Sequence, residues 1–325
     1  MEPDPISIGA TVNDVTCNGA NDGEITVFLA GGTGSLTPSW TTIVPGSGII
    51  ANDTSQTALD QGTYKLIVTD DNSCADSSTY TITEPDTISI SYTLSQISCS
   101  DSVNGSIEIT EAGGTGALIP AWNSTNPSFT DLGTVDLFGL DSGIYNLSLT
   151  DDNGCIYDTS FLMIKPDAIV TNANIQLVSC FGNADAEIKL NTTGGDGNYS
   201  WNWSGPNGYA NTNDTIIGLD TGQYQLVILD GNLCQKDTLI EITQPNSLNL
   251  LANINSINCF GDTSGKINLS LTGGSSPFQY DWDIDGLGDN DDDDSLFNLP
   301  SGSYHIFVTD DNGCTLDSVL SLIHI

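Results

Sequence analysis

The chain states one sentence four times. The run LDQGTYKLIVTDDNSC at 59–74 returns with small changes as LDSGIYNLSLTDDNGC (140–155), LDTGQYQLVILDGNLC (219–234) and LPSGSYHIFVTDDNGC (299–314). A chain built this way folds as a row of similar modules, and its function is one that such a row performs. Within the run, Tyr145, Leu147 and Leu149 alternate with polar side chains, which is the period of a half-buried strand. The Asp-Asp-Asn-Gly that follows is turn chemistry. Each copy therefore reads as strand, tight turn, cysteine.

Aligned on the first cysteine of each module, a Gly-Gly pair begins fourteen residues on, at Gly31, Gly113, Gly194 and Gly273, and a tryptophan stands twenty-three on, at Trp40, Trp122, Trp203 and Trp282. Before the glycines lies another alternating strand, with Ile25, Val27 and Leu29 in the first copy and Ile267, Leu269 and Leu271 in the fourth. Length varies only between the tryptophan and the Leu-x-x-Gly-x-Tyr motif, where a surface loop absorbs it. A last strand, with Phe161 and Met163 or Ile240 and Ile242 inward, ends at Pro85, Pro166 and Pro245. Each proline precedes the next first cysteine by fourteen residues, and Pro3 stands likewise before Cys17, so Glu2-Pro3-Asp4 reads as the tail of a preceding unit. The modules are then 1–85, 86–166, 167–245 and 246–325. Joints without a Gly-Ser linker predict a stiff rod. About seven short strands, a buried tryptophan and Tyr64, Tyr145, Tyr224 and Tyr304 placed like a tyrosine corner predict an all-β tandem array of four immunoglobulin-like sandwiches.

Each module holds two cysteines, 54 to 57 residues apart. Zinc would ask for Cys-x-x-Cys or nearby histidines, and the chain has only His305 and His324. The expectation is one disulfide inside each module: Cys17 with Cys74, Cys99 with Cys155, Cys180 with Cys234 and Cys259 with Cys314. Closing such a loop is worth roughly 4 kcal/mol in the chain-entropy model, a useful addition to a module of marginal size. Disulfides also ask for an oxidising place, hence secretion or surface display, although residues 1–14 show no leader of the signal-peptide kind.

Five lysines, no arginine and 42 acids give a net charge of −37, a field that repels nucleic acid and anionic lipid. No apolar run is long enough to insert into a membrane. No nucleophile, base and acid recur as a set, so the chain does not read as an enzyme and requires no cofactor.

Three local patterns stand apart. Asp281, Asp283, Asp285, Gly286, Asp289 and Asp292 occupy positions 1, 3, 5, 6, 9 and 12 of a calcium-loop pattern, with aspartate where glutamate usually closes the loop. Asp70, Asp151, Asp230 and Asp310, four before each second cysteine, read instead as turn-stabilising acceptors. Tyr199, Trp201 and Tyr209, extra aromatics of the third module, offer a sugar-stacking platform.

The order Cys-x-Gly, strand, Gly-Gly-x-Gly, Trp, Leu-x-x-Gly-x-Tyr, strand, Thr-Asp-Asp-Asn-Gly-Cys, strand, Pro resembles the SprB repeat of very large surface adhesins of gliding Bacteroidetes. CFGDTSGKINLSLTGG (259–274) shows it best, while the second module departs with Ser100-Asp101 after its cysteine and Glu111 in its strand. The resemblance implies export by the type IX system and display as an extracellular filament serving adhesion or gliding. Its implied partners are neighbouring repeats of a long chain, the outer-membrane gliding or secretion machinery, and a surface polysaccharide or abiotic surface. Asp followed by Ser or Thr and an aliphatic residue, at Thr87, Ser102, Thr215, Thr238, Ser295 and Ser318, is similar to the O-glycosylation sequon of the same phylum. The alternatives are a subunit of a self-assembling fibre and a carbohydrate-binding array of a secreted enzyme.

Overall fold

The computed structural model describes residues 3–44, 46–259, 261–282 and 293–323. Strands form where the sequence alternates. In the first module these are β1 (Ser7–Asn13), β2 (Gly23–Ala30), β3 (Thr37–Val44), β4 (Ser55–Leu59), β5 (Gly62–Thr69) and β6 (Ala75–Ile82). They make two antiparallel sheets, in the orders β1-β2-β4 and β3-β5-β6. Ile25 and Val27 of β2, Trp40 of β3, Leu59 of β4, Tyr64, Leu66 and Val68 of β5 and Ile82 of β6 all turn inward and form one buried cluster. Burial of a side chain such as Leu66 contributes about 1.5–3 kcal/mol.

The same pair of sheets recurs three more times, giving the immunoglobulin-like sandwiches that the sequence predicts. Among the described residues each module has six strands rather than about seven, except the third, which adds the two-residue strand Ala210–Asn211 beside Tyr199–Ser204. The core tryptophan of each module anchors the chain that follows it. The indole Nε1 of Trp40 donates to the carbonyl of Asp53 (2.8 Å), and Trp122, Trp203 and Trp282 donate likewise to Thr134 (3.0 Å), Asn213 (3.0 Å) and Asp293 (2.9 Å). One main-chain anchor per loop lets its length vary while the sheets stay fixed.

The tyrosine corner is present in every copy. The hydroxyls of Tyr64, Tyr145, Tyr224 and Tyr304 each donate to the carbonyl four residues upstream, at Asp60 (2.8 Å), Asp141 (2.8 Å), Asp220 (3.0 Å) and Pro300 (2.7 Å). Just before it the chain bulges at a left-handed residue: Gly139, Gly218 and Asn298 in three modules, but Ala58 (φ 57°) in the first. Alanine is the costliest of these choices.

The chain divides into two compact units, Met1–Lys165 and Pro166–Ile325. Each contains two modules. The first unit has two separate cores, one around Leu66 and one around Leu147.

Candidate functional site: the joint between modules

Each sandwich has a head, where the chain comes in, and a tail, where it leaves. At the head, the glycine pair lies against the first residues of the module. A Cβ on Gly31 would sit 2.0 Å from the Pro5 carbonyl, and the same distance recurs at Gly113, Gly194 and Gly273, all at positive φ. This is why glycine is needed there. The next glycine donates its amide to the opening backbone, Gly32 to Asp4 and Gly114 to Asp86.

An aspartate fastens this loop to the second cysteine. One carboxylate oxygen of Asp70 accepts from the amide of Thr33 (2.9 Å), and the other accepts from Asn72 (2.9 Å) and Cys74 (2.9 Å). Asp151 repeats this with Thr115, Asn153 and Cys155 at 2.8, 3.0 and 2.8 Å. Asp310 does so with Ser275, Asn312 and Cys314, and Asp230 with Asp196, Asn232 and Cys234. The amides of Thr33 and then Cys74 hold the Asp70 carboxyl below its ordinary range. Burial pushes Asp151 up, but the amides of Thr115, Cys155, Asn153 and Gly154 outweigh it, and the net shift is downward. The four aspartates are thus the turn acceptors that the sequence suggests.

The first cysteine sits at the opposite end. Val15 donates to Thr83 (3.0 Å), and Gly19 donates to the Glu84 carboxylate (2.8 Å), so the Cys17 loop is packed on the module's last residues. The hydroxyl of Thr16 binds Asp22 and lowers its pKa, and Ser179 does the same to Asp185.

The expected pairing within modules is therefore wrong. The eight residues of β5 separate head from tail by about 25 Å, whereas a disulfide joins Cα atoms about 6 Å apart. Cys17 instead bonds Cys155, with a Cα–Cα distance of 5.7 Å, and Cys180 bonds Cys314 at 5.5 Å. The tail cysteine of one module thus meets the head cysteine of the next. Cys99 and Cys234 are disulfide-bonded as well, while Cys74 and Cys259 are free and exposed. None of the four expected pairs forms.

The Cys17–Cys155 and Cys180–Cys314 bridges have the same polar companion. Asn153 Nδ2 donates to the Thr16 carbonyl (3.0 Å), and Asn312 Nδ2 donates to the Ser179 carbonyl (3.1 Å). In the first unit Asn18 adds two bonds, donating to the Pro85 carbonyl (3.0 Å) and accepting from the Thr87 hydroxyl (2.8 Å). The joint is a rivet: a covalent bond seated between two loops that are each held by their own module.

The other sequence-predicted residues are placed as follows. Asp281 lies half-buried at the end of strand Phe278–Trp282, and Asp283, Asp285, Asp289 and Asp292 lie outside the described residues. Tyr199 and Trp201 face each other with ring centroids 6.2 Å apart, and Tyr199 donates to the Gly194 carbonyl. Tyr209 is elsewhere, edge-on to Tyr224 at 5.4 Å, so the three aromatics do not share one platform. Thr87 is exposed at the first joint, whereas Ser102, Thr215, Thr238, Ser295 and Ser318 are half-buried.

Residues 9–44, 172–208 and 251–285 match the family model of the SprB repeat, each match running from the first strand past the tryptophan. No curated protein matches the chain. Among solved structures, the N-terminal eight Ig domains of Down Syndrome Cell Adhesion Molecule isoform 1.30.30 align at 12% identity and a TM-score of 0.35, covering 99% of this chain and 60% of that one. Immunoglobulin domains 1–5 of Sidekick-1 align at 11% identity and a TM-score of 0.37, covering 97% and 77%. Scores of this size add nothing to the fold already read from the strands.

Proposed function

We propose that this chain is a segment of a secreted cell-surface adhesin filament, a stiff, non-catalytic stalk of immunoglobulin-like modules serving adhesion and gliding. The observation that carries the reading is the bridge between successive modules. A bond inside one domain stabilises that domain, whereas a bond across a joint controls how two domains transmit force. The SprB repeat matches and the oxidised cysteines support surface display through the type IX route. The acidic stretch Asp281–Asp292 is proposed as a calcium loop, and the six Asp-Ser/Thr sites as glycan carriers, of which exposed Thr87 is the best presented.

Pulling on the first unit loads the bridge between Cys17 and Cys155, which lie 138 positions apart, and shields the residues between them. Single-molecule extension tests this. The oxidised unit should release only its short flanks, and reduction should add roughly 450–500 Å of contour length. Full extension of the oxidised unit would sink the stalk reading.

A further inference from the structure

In the second module the chain after the tryptophan, residues 125–136, is longer than the corresponding 45–54 and 205–214, and it is pinned along its length. The Asp131 carboxylate accepts from the amides of Trp122 (2.9 Å) and Gly133 (2.8 Å), and the Thr134 hydroxyl donates to the Asp136 carbonyl (2.8 Å). Phe129 meets Tyr145 edge-on, with ring centroids 5.3 Å apart. Between this segment and the strand Leu137–Leu140 lies a cavity of about 850 Å³, a size that suits a small organic ligand. Phe129 and Leu137 line it, and so do Val103, Leu132 and Phe138, which are 56, 76 and 65% exposed. Large apolar side chains held in water around one hollow mark a binding surface.

Charge decides what such a hollow accepts. The carboxylates that line it are Asp136 and Asp141. Asp141 is already paired at 2.6 Å with Lys165, the one lysine of the second module. Asp136 has no ion-pair partner among the described residues, and one of its oxygens accepts from the Ile109 amide (2.8 Å). It also lines a second, polar hollow of about 360 Å³, together with Glu108, Ser91, Thr93 and Thr110. An apolar cavity and an acidic one thus meet at Asp136.

The fourth module shows what settles beside such an aromatic. LFGL at 137–140 and LFNL at 296–299 are the same edge strand in two copies. Phe297 pairs across the sheet with Lys266, whose Nζ lies 4.5 Å from the ring centroid, a cation–π contact. Phe138 pairs with Ser106 instead, and Glu108, two residues along that strand, shares the Ser106 face. We propose that the second module binds a small organic cation with an apolar body, the body filling the cavity beside Leu132 and Phe138 and the cationic end lying toward Asp136 and Glu108. The ligand brings to Phe138 the charge that Lys266 brings to Phe297. The carboxylates refuse an anion, and a neutral molecule gains from the apolar walls alone. This site goes beyond the stalk reading and fails separately from it, because it uses neither the bridges nor the joints.

The test titrates the full chain by calorimetry with phenylbutylamine, phenylbutanol and phenylbutyrate, which share one apolar body and differ in charge. The amine should bind about tenfold more tightly than the alcohol, a factor worth about 1.4 kcal/mol and within reach of two exposed ion pairs. The carboxylate should bind more weakly than the alcohol, and added salt should erase the amine's advantage while leaving the alcohol unchanged. E108Q and D136N, the latter keeping an oxygen for the Ile109 amide, should each reduce that advantage roughly threefold. L132A and F138A should weaken amine and alcohol alike without moving the melting temperature, since both side chains are exposed. The methyl NMR signals of Val103 and Leu132 should shift on titration. Equal affinity for the three probes would overturn the proposal, as would an advantage that survives in the E108Q/D136N double variant, shifts confined to another module, or no binding at millimolar amine.

Discussion

The joint inside the first unit and the joint inside the second differ in their dressing and agree in their rivet. At the first, Asn18 ties Pro85 and Thr87 across the gap, and the Gly19 amide rests on Glu84. At the second, exposed Phe181 stands in the place of Asn18, and the Gly182 amide rests on Gln244 (2.7 Å). What both keep is the disulfide and the asparagine reaching from the second cysteine's turn to the carbonyl before the first. The comparison teaches that the covalent bond and one side-chain contact define the joint, and that the remaining contacts are free to drift once those two are in place.

The largest effect should come from removing the bridges. The double variants C17S/C155S and C180S/C314S should each lose up to about 5 kcal/mol in the chain-entropy model, read by calorimetry. The second pair should also free its two modules more fully in NMR relaxation, because no counterpart of Asn18 holds them. Equal loosening of the two joints would show that the Asn18 bonds do nothing.

Acid comes next, because several carboxylates titrate together. Asp22, Asp70 and Asp151 in the first unit and Asp185 and Asp196 in the second have folded pKa values below their unfolded ones. Their contribution is present above the unfolded value near 3.9 and is lost as pH falls through the folded values. Melting temperature should therefore be flat above about pH 5 and fall steeply below about pH 4. A midpoint that is insensitive to acid would remove the aspartate clamp from the account.

Smaller changes separate the shared contact from the local one. Asn153→Ala should cost about 1 kcal/mol by deleting the bond to Thr16, and Asn312→Ala somewhat more, since its Nδ2 donates both to the Ser179 carbonyl and to the Ser275 hydroxyl (2.9 Å). Asn18→Ala should cost less than that, its contacts being exposed. Away from the joints, Ala58→Gly should raise the stability of the first module by about 1 kcal/mol, since it relieves a left-handed alanine. A loss there on chemical denaturation would mean that the bulge is not strained.

Much of this was legible from spacing. The alternation of Ile25, Val27 and Leu29, the fixed tryptophan and the tyrosine corner all rest on local periods, and the structure has them where the sequence places them. The disulfides failed because two cysteines per module fit two pairings equally well, within a module or between neighbours. The deciding signal is topological. Between Cys17 and Gly31 runs one whole strand, so Cys17 is at the far end from the glycine pair, and the glycine pair is what Asp70 fastens to Cys74. Strand direction, not separation in sequence, chooses the partner. The strand count among the described residues was invisible for a different reason, since the segments after the tryptophan share an anchoring carbonyl but no common side chain.

The bridge from Cys17 to Cys155 also closes a ring through the backbone, and the one from Cys180 to Cys314 closes another. A single hydrolytic cut at Pro85, or at any loop inside a ring, leaves both pieces attached. Parting the chain there takes two lesions of unrelated chemistry, one hydrolytic and one reductive, at the same ring. Wherever proteases are met more often than strong reductants, this wiring makes each nick a local wound instead of a severed line.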